Sequence, residues 1–484
     1  MSGPYLPQRS SLEDTICAIA TPPGKGGIGV VKISGPKALH LGRAVFCKKR
    51  SAIADNDIGE VSTAGLGVEY RPRHMYHGYI REAVGGRPVD EVLFVYMNGP
   101  HSYTGEDVVE IHAHGGTSVL ETIYKMVVQG GGRCAAPGEF TQRAFINGRI
   151  DLTQAEGVME LINAKSTSAV KLAAKQVAGE FGRRIHDVRV KILGLITVIE
   201  AWIDFPDDVG PAVEIDQKFA EIQREVLPGI QQLVRRHEEG RGFREGFRLA
   251  LVGRPNVGKS SLLNRLSGRE RAIVTEIPGT TRDLIHETVS INGAPIVLTD
   301  TAGIQATENP IEKIGIEKTK NQIAASDLVL LVVDPQNGLV DDEIGWFRPE
   351  DYKKLLVVIN KVDLTGNSWE SRLPGVFGNL PKICVSAKTG FGMEALLGAI
   401  ENRLFGGRTP NLADTIVPNY RQKEGLQKTL AHLASAVQAY QEEVPLEMIA
   451  IDLQACLTAL EDILGINVRQ DILEYIFKEF CVGK

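Results

Sequence analysis

Gly253-Arg254-Pro255-Asn256-Val257-Gly258-Lys259-Ser260 fits the pattern G-x-x-x-x-G-K-[ST], which can hold phosphates. Backbone N–H groups of such a loop and the positive end of the helix that follows both face the anion. Lys259 has the reach for β- and γ-phosphates, and the Ser260 hydroxyl can ligate Mg²⁺. A bare match also arises by chance as a glycine-rich turn, so its neighbours decide. Phe247 to Val252 is a short apolar strand, and Ser261-Leu262-Leu263-Asn264-Arg265-Leu266 reads as the opening of a helix. Strand, loop and helix together make an anion cradle.

Four further stretches follow in an order that suits nucleotide chemistry. Thr280-Thr281-Arg282-Asp283 offers a threonine, Thr281, that can complete Mg²⁺ coordination beside a γ-phosphate. Asp300-Thr301-Ala302-Gly303 closes a strand with a metal-side aspartate, and Gly303 can offer its N–H to the γ-phosphate. Asn360-Lys361-Val362-Asp363 closes another strand, and Cys384-Val385-Ser386-Ala387-Lys388 supplies a short loop for the base. The Asp363 carboxylate can accept from the guanine N1–H and 2-amino group, a donor pair adenine lacks. Five motifs, each after a strand and at sensible intervals, predict a GTP site with Mg²⁺. Hydrolysis is less determined. Gln305 stands where a Ras-type enzyme keeps its water-orienting glutamine, whereas Asn256 could instead hold a monovalent cation beside the phosphates. The residues alone leave both open.

These motifs occupy about a third of a 484-residue chain, which is long enough for roughly three domains. Its 43% hydrophobic and 24% charged content suits a soluble globular protein. With 54 Lys and Arg against 60 Asp and Glu, the formal net charge is −6, so any nucleic-acid surface must be local. Lys48-Lys49-Arg50, Arg183-Arg184, Arg235-Arg236 and Arg241 with Arg244 are the candidates. Six scattered cysteines without a C-x-x-C pair fit a reducing, cytoplasmic setting. Neither a signal core nor a membrane-length apolar run is expected. Residues 1–148 read as a mixed α/β domain, with strands at Thr15–Ala20, Val30–Gly35 and Val89–Met97, and a tight connection at Gly24–Gly29. His112 and His114 share one face of a further strand without a third metal ligand at a recognisable spacing. Helical periodicity runs from Asp151 to Asp204, from Val213 to His237, and again from Val417 to Phe480. Glu238–Gly246, charged and punctuated by glycine, reads as a linker. The predicted boundaries are 1–148, helical 149–245, nucleotide domain 246–405 and helical 406–484: an α/β GTPase domain inserted into an all-α domain, after an N-terminal α/β domain.

Along essentially its whole length the chain resembles the MnmE (TrmE) family of tRNA modification GTPases. The residues that carry this are Ala20-Thr21-Pro22-Pro23-Gly24, Tyr103-Thr104-Gly105-Glu106-Asp107 and His114-Gly115-Gly116. Pro137-Gly138-Glu139-Phe140, Arg143-Ala144-Phe145 and Asp151-Leu152-Thr153-Gln154-Ala155-Glu156 extend the match. It continues through the nucleotide motifs, Gly253 to Ser261, Gly279 to Asp283 and Asp300 to Gly303, to the C-terminal Phe480-Cys481-Val482-Gly483-Lys484. The terminal Cys-x-Gly-Lys is the most family-specific, because no generic GTPase calls for it.

The resemblance implies an N-terminal domain that dimerises and binds a 5-formyltetrahydrofolate-type folate, with Lys32, Glu110, Arg149 and Lys484 at the folate. It implies K⁺-stimulated hydrolysis, with K⁺ held by Asn256 and by carbonyls of Thr275, Ile277 and Thr280, and with Glu312 orienting water through a bridging water. It makes Cys481 a residue of the modification reaction. The homodimer would join a flavoprotein partner, MnmG, in a heterotetramer and add an aminomethyl or carboxymethylaminomethyl group at C5 of the wobble uridine of certain tRNAs. The competing reading is a ribosome-assembly-type GTPase switch whose helices dock on RNA. It predicts a strongly basic accessory domain and gives no reason for the terminal Cys-Val-Gly-Lys.

Overall fold

A computed structural model describes residues 13–48, 70–81, 87–205, 213–268, 286–300, 311–336, 345–364, 380–406, 415–468 and 470–484. Lys49, Arg50, Thr275, Ile277, Thr280, Thr281, Thr301, Ala302, Gly303 and Gln305 lie outside them. The chain divides into two compact units, 1–159 with 176–227 and 425–484, and 160–175 with 228–424.

The first unit holds a seven-stranded sheet: β1 (Ile16–Ile19), β2 (Gly26–Ser34), β3 (Phe46–Lys48), β4 (Met75–Arg81), β5 (Pro88–Met97), β6 (Val108–Gly115) and β7 (Arg133–Cys134). Their order is β3-β4-β5-β6-β2-β1-β7, antiparallel except for the parallel β1–β7 pair. The expected connection at Gly24–Gly29 is shorter than read, because β2 already starts at Gly26 and absorbs the extra residues as an irregularity before Gly29.

Alternation sets the two faces of this sheet. Val31, Ile33, Phe94, Val109 and Ile111 point to one side, where the helices Ala38–Val45 and Thr117–Gln129 bury them under Leu41, Leu120, Ile123 and Val127. Each such side chain contributes about 1.5–3 kcal/mol on burial. The opposite face receives the polar residues of the same strands, with Lys32 of β2 in direct register with Glu110 of β6. Helices complete the unit. Glu180–Asp204 packs along Leu446–Leu464, tied by Arg189 Nη2 to Glu461 Oε1 at 2.6 Å.

The second unit is built on six strands, β8 (Phe247–Val252), β9 (His286–Ile291), β10 (Ala294–Asp300), β11 (Leu328–Val333), β12 (Leu355–Ile359) and β13 (Lys382–Cys384). They run β13-β12-β11-β8-β10-β9, parallel except for the edge strand β9. Strands covered on both faces need continuous apolar runs. Leu328–Val333 and Leu355–Ile359 are buried throughout. Alternate residues enter two cores: Leu249, Leu251, Leu330 and Val358 meet Leu262, Leu266 and Leu396, while Ala250, Val252, Leu331 and Val357 meet Ile323 and Phe347. The order reverses at β8, so the crevice at the carboxyl ends of β8 and β11 is where such a fold binds its ligand.

The linker expected at Glu238–Gly246 is instead helix, which continues to Glu245. Composition misled here because the charges are partnered and the glycines are close contacts. Glu238 pairs with Lys423, Arg244 with Glu160, and Arg241 Nη2 lies 2.9 Å from Asp327 Oδ1. Gly240 is buried, and a Cβ there would meet Val417 Cγ2 at 2.4 Å. Arg241 and Arg244, considered above for RNA, are thus committed to carboxylates.

Candidate functional site

The loop after β8 enters the helix Lys259–Ser267 through Gly258, whose φ of 97° is left-handed. A Cβ at Gly258 would fall 2.2 Å from Asn360 Nδ2, so glycine is required twice over. The Lys259 ammonium crosses the loop and donates to the carbonyls of Gly253 at 2.6 Å and Arg254 at 2.7 Å. Ser260 and Ser261 are exposed in the first turn of the helix, and Val257 is buried behind them.

Asn360, at the end of β12, is 1% exposed and holds two loops together. Its Nδ2 donates to the Val257 carbonyl at 2.9 Å, and its Oδ1 accepts from the Ala387 N–H at 3.0 Å. Lys361 has φ 62° and sends its ammonium to the Asn256 carbonyl at 2.6 Å and to Asp334 Oδ2 at 2.8 Å. Asn256 is itself left-handed, with φ 63°, and exposed. Ser386 is buried, its Oγ accepting from the Thr389 N–H at 3.1 Å, while Asp363 and Lys388 are exposed at the loop surface. Asn256 to Ser261, Asn360 to Asp363 and Ser386 to Lys388 are therefore gathered at one end of the sheet. Asp300 closes β10 in register with Leu251 of β8, just before the loop, and Glu312 is the second residue of the helix Ile311–Ala325. The side chains of Asp300 and Glu312 lie outside the described residues.

A second cluster stands on the polar face of the first unit's sheet. Lys32 Nζ lies 3.7 Å from Glu110 Oε1 and 5.4 Å from the ring centroids of both Tyr103 and Phe140. Arg149 stacks its guanidinium 5.6 Å from the Tyr103 ring. Burial pushes the Lys32 ammonium below its ordinary pKa; Glu110 opposes this and Lys484 adds to it. Lys32, Glu110, Arg149 and Lys484 are thus neighbours, although they come from β2, β6, the bend between the helices Glu139–Ile146 and Leu152–Asn163, and position 484. His112 Nε2 reaches Glu110 Oε2 at 3.2 Å and His114 Nδ1 reaches Asp90 Oδ1 at 2.7 Å, so both histidines are partnered by carboxylates. Among the described residues no group of three His, Cys, Asp or Glu could hold a metal.

The tail reaches this cluster by its main chain. The Gly138 N–H donates to the Cys481 carbonyl at 3.3 Å and the Phe140 N–H to the Lys484 carbonyl at 3.2 Å. Phe477 and Phe480 anchor the segment in a core with Leu152 and Ala155. Cys481 itself is exposed.

Beneath lies a charge network that the sequence reading missed as a site. Arg143 is 1% exposed and binds Asp14 Oδ1 at 2.6 Å, Glu106 Oε1 at 3.1 Å and Glu139 Oε1 at 3.1 Å. Ser34 Oγ donates to Glu106 Oε2 at 2.7 Å, fixing the loop that carries Tyr103. The i,i+4 pair Glu139 and Arg143 was the available signal, but such pairs are usually solvated.

Among the described residues no helix is long and apolar enough to cross a membrane. The chemistry available is therefore phosphate and guanine binding in one unit, and an aromatic, cationic cluster beside an exposed thiol in the other.

Comparison with known proteins places the chain in a family. The model described as "GTP-binding protein TrmE N-terminus" matches residues 15–149, and the "MnmE helical domain" model matches residues 152–481. The tRNA modification GTPase MnmE of Moorella thermoacetica is 41% identical over 477 residues, covering 98% of this chain and 100% of that protein. Its counterpart in Desulfotalea psychrophila is 39% identical over 475 residues, covering 97% and 98%. Among solved structures, Aquifex aeolicus Era bound to GDP and AlF4⁻ is 29% identical over 40% of this chain and 66% of its own, with a TM-score of 0.27, too low to carry weight. Two family models that tile the chain, near-full-length relatives at about 40% identity and a complete set of GTPase motifs converge: this chain is a GTP hydrolase and belongs to the MnmE (TrmE) family of tRNA modification GTPases.

Proposed function

We propose that the chain is a K⁺-stimulated GTPase which, as a homodimer with the flavoprotein MnmG, adds an aminomethyl or carboxymethylaminomethyl group at C5 of the wobble uridine of certain tRNAs. The observation that carries this is the meeting of Lys32, Glu110, Arg149 and Lys484 around two aromatic rings, beside Cys481. A generic GTPase has no use for it.

The donor sets suit the groups assigned to them. Tyr103 and Phe140 offer apolar faces for a flat ring system, and Lys32, Arg149 and Lys484 offer cations for the carboxylates of a folate. A bound folate would supply a one-carbon unit. Glu110 restrains Lys32, and the Arg143 network holds the Tyr103 loop so that the ring stays in place.

At the nucleotide, Ser260 with Thr281 offers hard oxygens for Mg²⁺, which would neutralise phosphate charge. The exposed Asn256, with Thr275, Ile277 and Thr280, would hold K⁺. Lys259 binds the β- and γ-phosphates, and Gly303 offers its N–H. Thr301 and Ala302 would contact the nucleotide, Asp300 would serve the metal, Asp363 would read guanine, and Glu312 would orient the attacking water.

Mass spectrometry of tRNA nucleosides from cells lacking this chain tests the biological claim: the wobble uridine is expected to lose its C5 substituent, and unchanged nucleosides would defeat it. Hydrolysis measured in KCl and in NaCl tests the cation. Rates at least tenfold higher in KCl, about 1.4 kcal/mol of barrier, are expected; equal rates would remove K⁺ from the mechanism.

A further inference from the structure

We propose that Cys481–Lys484 is a latched turn, and that Gly483, seated over β1, and Gly138, beneath the tail, are positioning residues that aim Cys481 and Lys484 for the tRNA-modifying reaction. This rests on the function proposed above.

Three independent features of the first unit converge on it. The Lys484 N–H donates to the Cys481 carbonyl at 3.3 Å, and Gly483 has φ 93°. Those four residues therefore close a β-turn of type II pattern, whose third position demands positive φ. One helix head holds both ends. The amides of Gly138 and Phe140, at the start of the helix Glu139–Ile146, have no partner within it and donate instead to the carbonyls of Cys481 and Lys484.

The third feature is steric. A Cβ on Gly483 would stand 2.8 Å from Ala20 Cα and 2.9 Å from the Ile19 carbonyl oxygen. One on Gly138, with φ 68°, would stand 2.5 Å from the Phe477 carbonyl oxygen. These neighbours are main-chain atoms and cannot rotate aside, so alanine at either position must lift the turn from its seat. The latch uses only main-chain groups. Cys481 stays exposed, Val482 is 52% exposed, and Lys484 remains close enough to disfavour the charge on Lys32. The spacing Cys-x-Gly-Lys thereby acquires a physical meaning: positions one and four of a turn are presented side by side, and the glycine lets the turn form and sit.

Gly483→Ala in the full chain tests this. Hydrogen exchange at the Gly138 and Phe140 amides should quicken roughly tenfold, the net worth of about one hydrogen bond. Modification should lose kcat by about tenfold or more with the tRNA KM within about twofold, while GTP hydrolysis stays within about twofold of wild type. Gly138→Ala should reproduce the pattern, and Val482→Ala, altering only a solvent-facing side chain, should match wild type throughout. Unchanged exchange in Gly483→Ala would show that no latch exists. Normal modification despite fast exchange would show that the latch positions nothing. Loss of GTP hydrolysis in parallel would place the effect in folding, and each of these overturns the assignment. A wild-type chain that protects both amides yet yields no modified uridine would instead defeat the function and leave the latch standing.

Discussion

Asn360 shows how much of the nucleotide site one side chain sets. Its amide joins the Val257 carbonyl of the phosphate loop to the Ala387 N–H of the base loop, with water excluded. Asn360→Ala leaves both groups without that partner, at about 1–3 kcal/mol each. GTP affinity should fall at least tenfold in a titration with a fluorescent analogue; an unchanged Kd would refute the bridging role. Glu139 makes the corresponding case for the tail seat. Burial raises its carboxyl pKa, but Arg133, the Ala136 N–H and Arg143 outweigh this and hold it below the ordinary 4.5. A depressed folded pKa means stability present above the unfolded value and lost as pH falls through the folded one. Glu139→Gln should therefore lower the melting temperature at pH 7, with the gap to wild type closing as pH falls below the ordinary 4.5 and through the depressed folded value. A gap that ignores pH would refute the charge network as its source.

At the scale of elements, the helix Leu227–Glu245 is where composition misled. A helix dotted with glycine and charge is a poor prospect by propensity alone. Tertiary contacts override that, because Gly240 admits Val417 and Gly242 admits the Phe247 ring, whose Cε1 would lie 2.2 Å from an added Cβ. Gly240→Ala should gain helix propensity yet lose stability by about 1–3 kcal/mol through overpacking. Thermal unfolding decides it, and an increase in melting temperature would show that propensity, not packing, governs this segment. The parallel strands were easier to read. Leu328–Val333 and Leu355–Ile359 are unbroken apolar runs, and only burial on both faces selects for those.

Across the whole molecule the two chemistries reside in different compact units: Lys259 belongs to one, and Cys481 with Lys32 to the other. They should separate by mutation. Cys481→Ser is expected to abolish the wobble-uridine product while GTP hydrolysis stays within about twofold of wild type. Lys259→Ala should cut hydrolysis by about 100-fold or more, the scale of losing a charged group at developing phosphate charge. Equal loss of hydrolysis in both variants would show the division of labour to be wrong.

Local chemistry by itself determined the nucleotide site of this protein. Gly253–Ser260, Asp300–Gly303, Asn360–Asp363 and Ser386–Lys388 are contiguous motifs of characteristic residue types, so they are legible in order along the chain. The family resemblance also marked the terminal Cys-Val-Gly-Lys as special, without saying why. The second site was named in the sequence only through the family resemblance, and tertiary structure alone gives it a physical basis. Lys32, Glu110, Arg149 and Lys484 are hundreds of residues apart at the extremes, and only sheet register and the docking of the tail on a helix head bring them together. The buried network around Arg143 was hidden for the same reason: an ionic cluster is defined by what excludes water around it, and that is a property of packing.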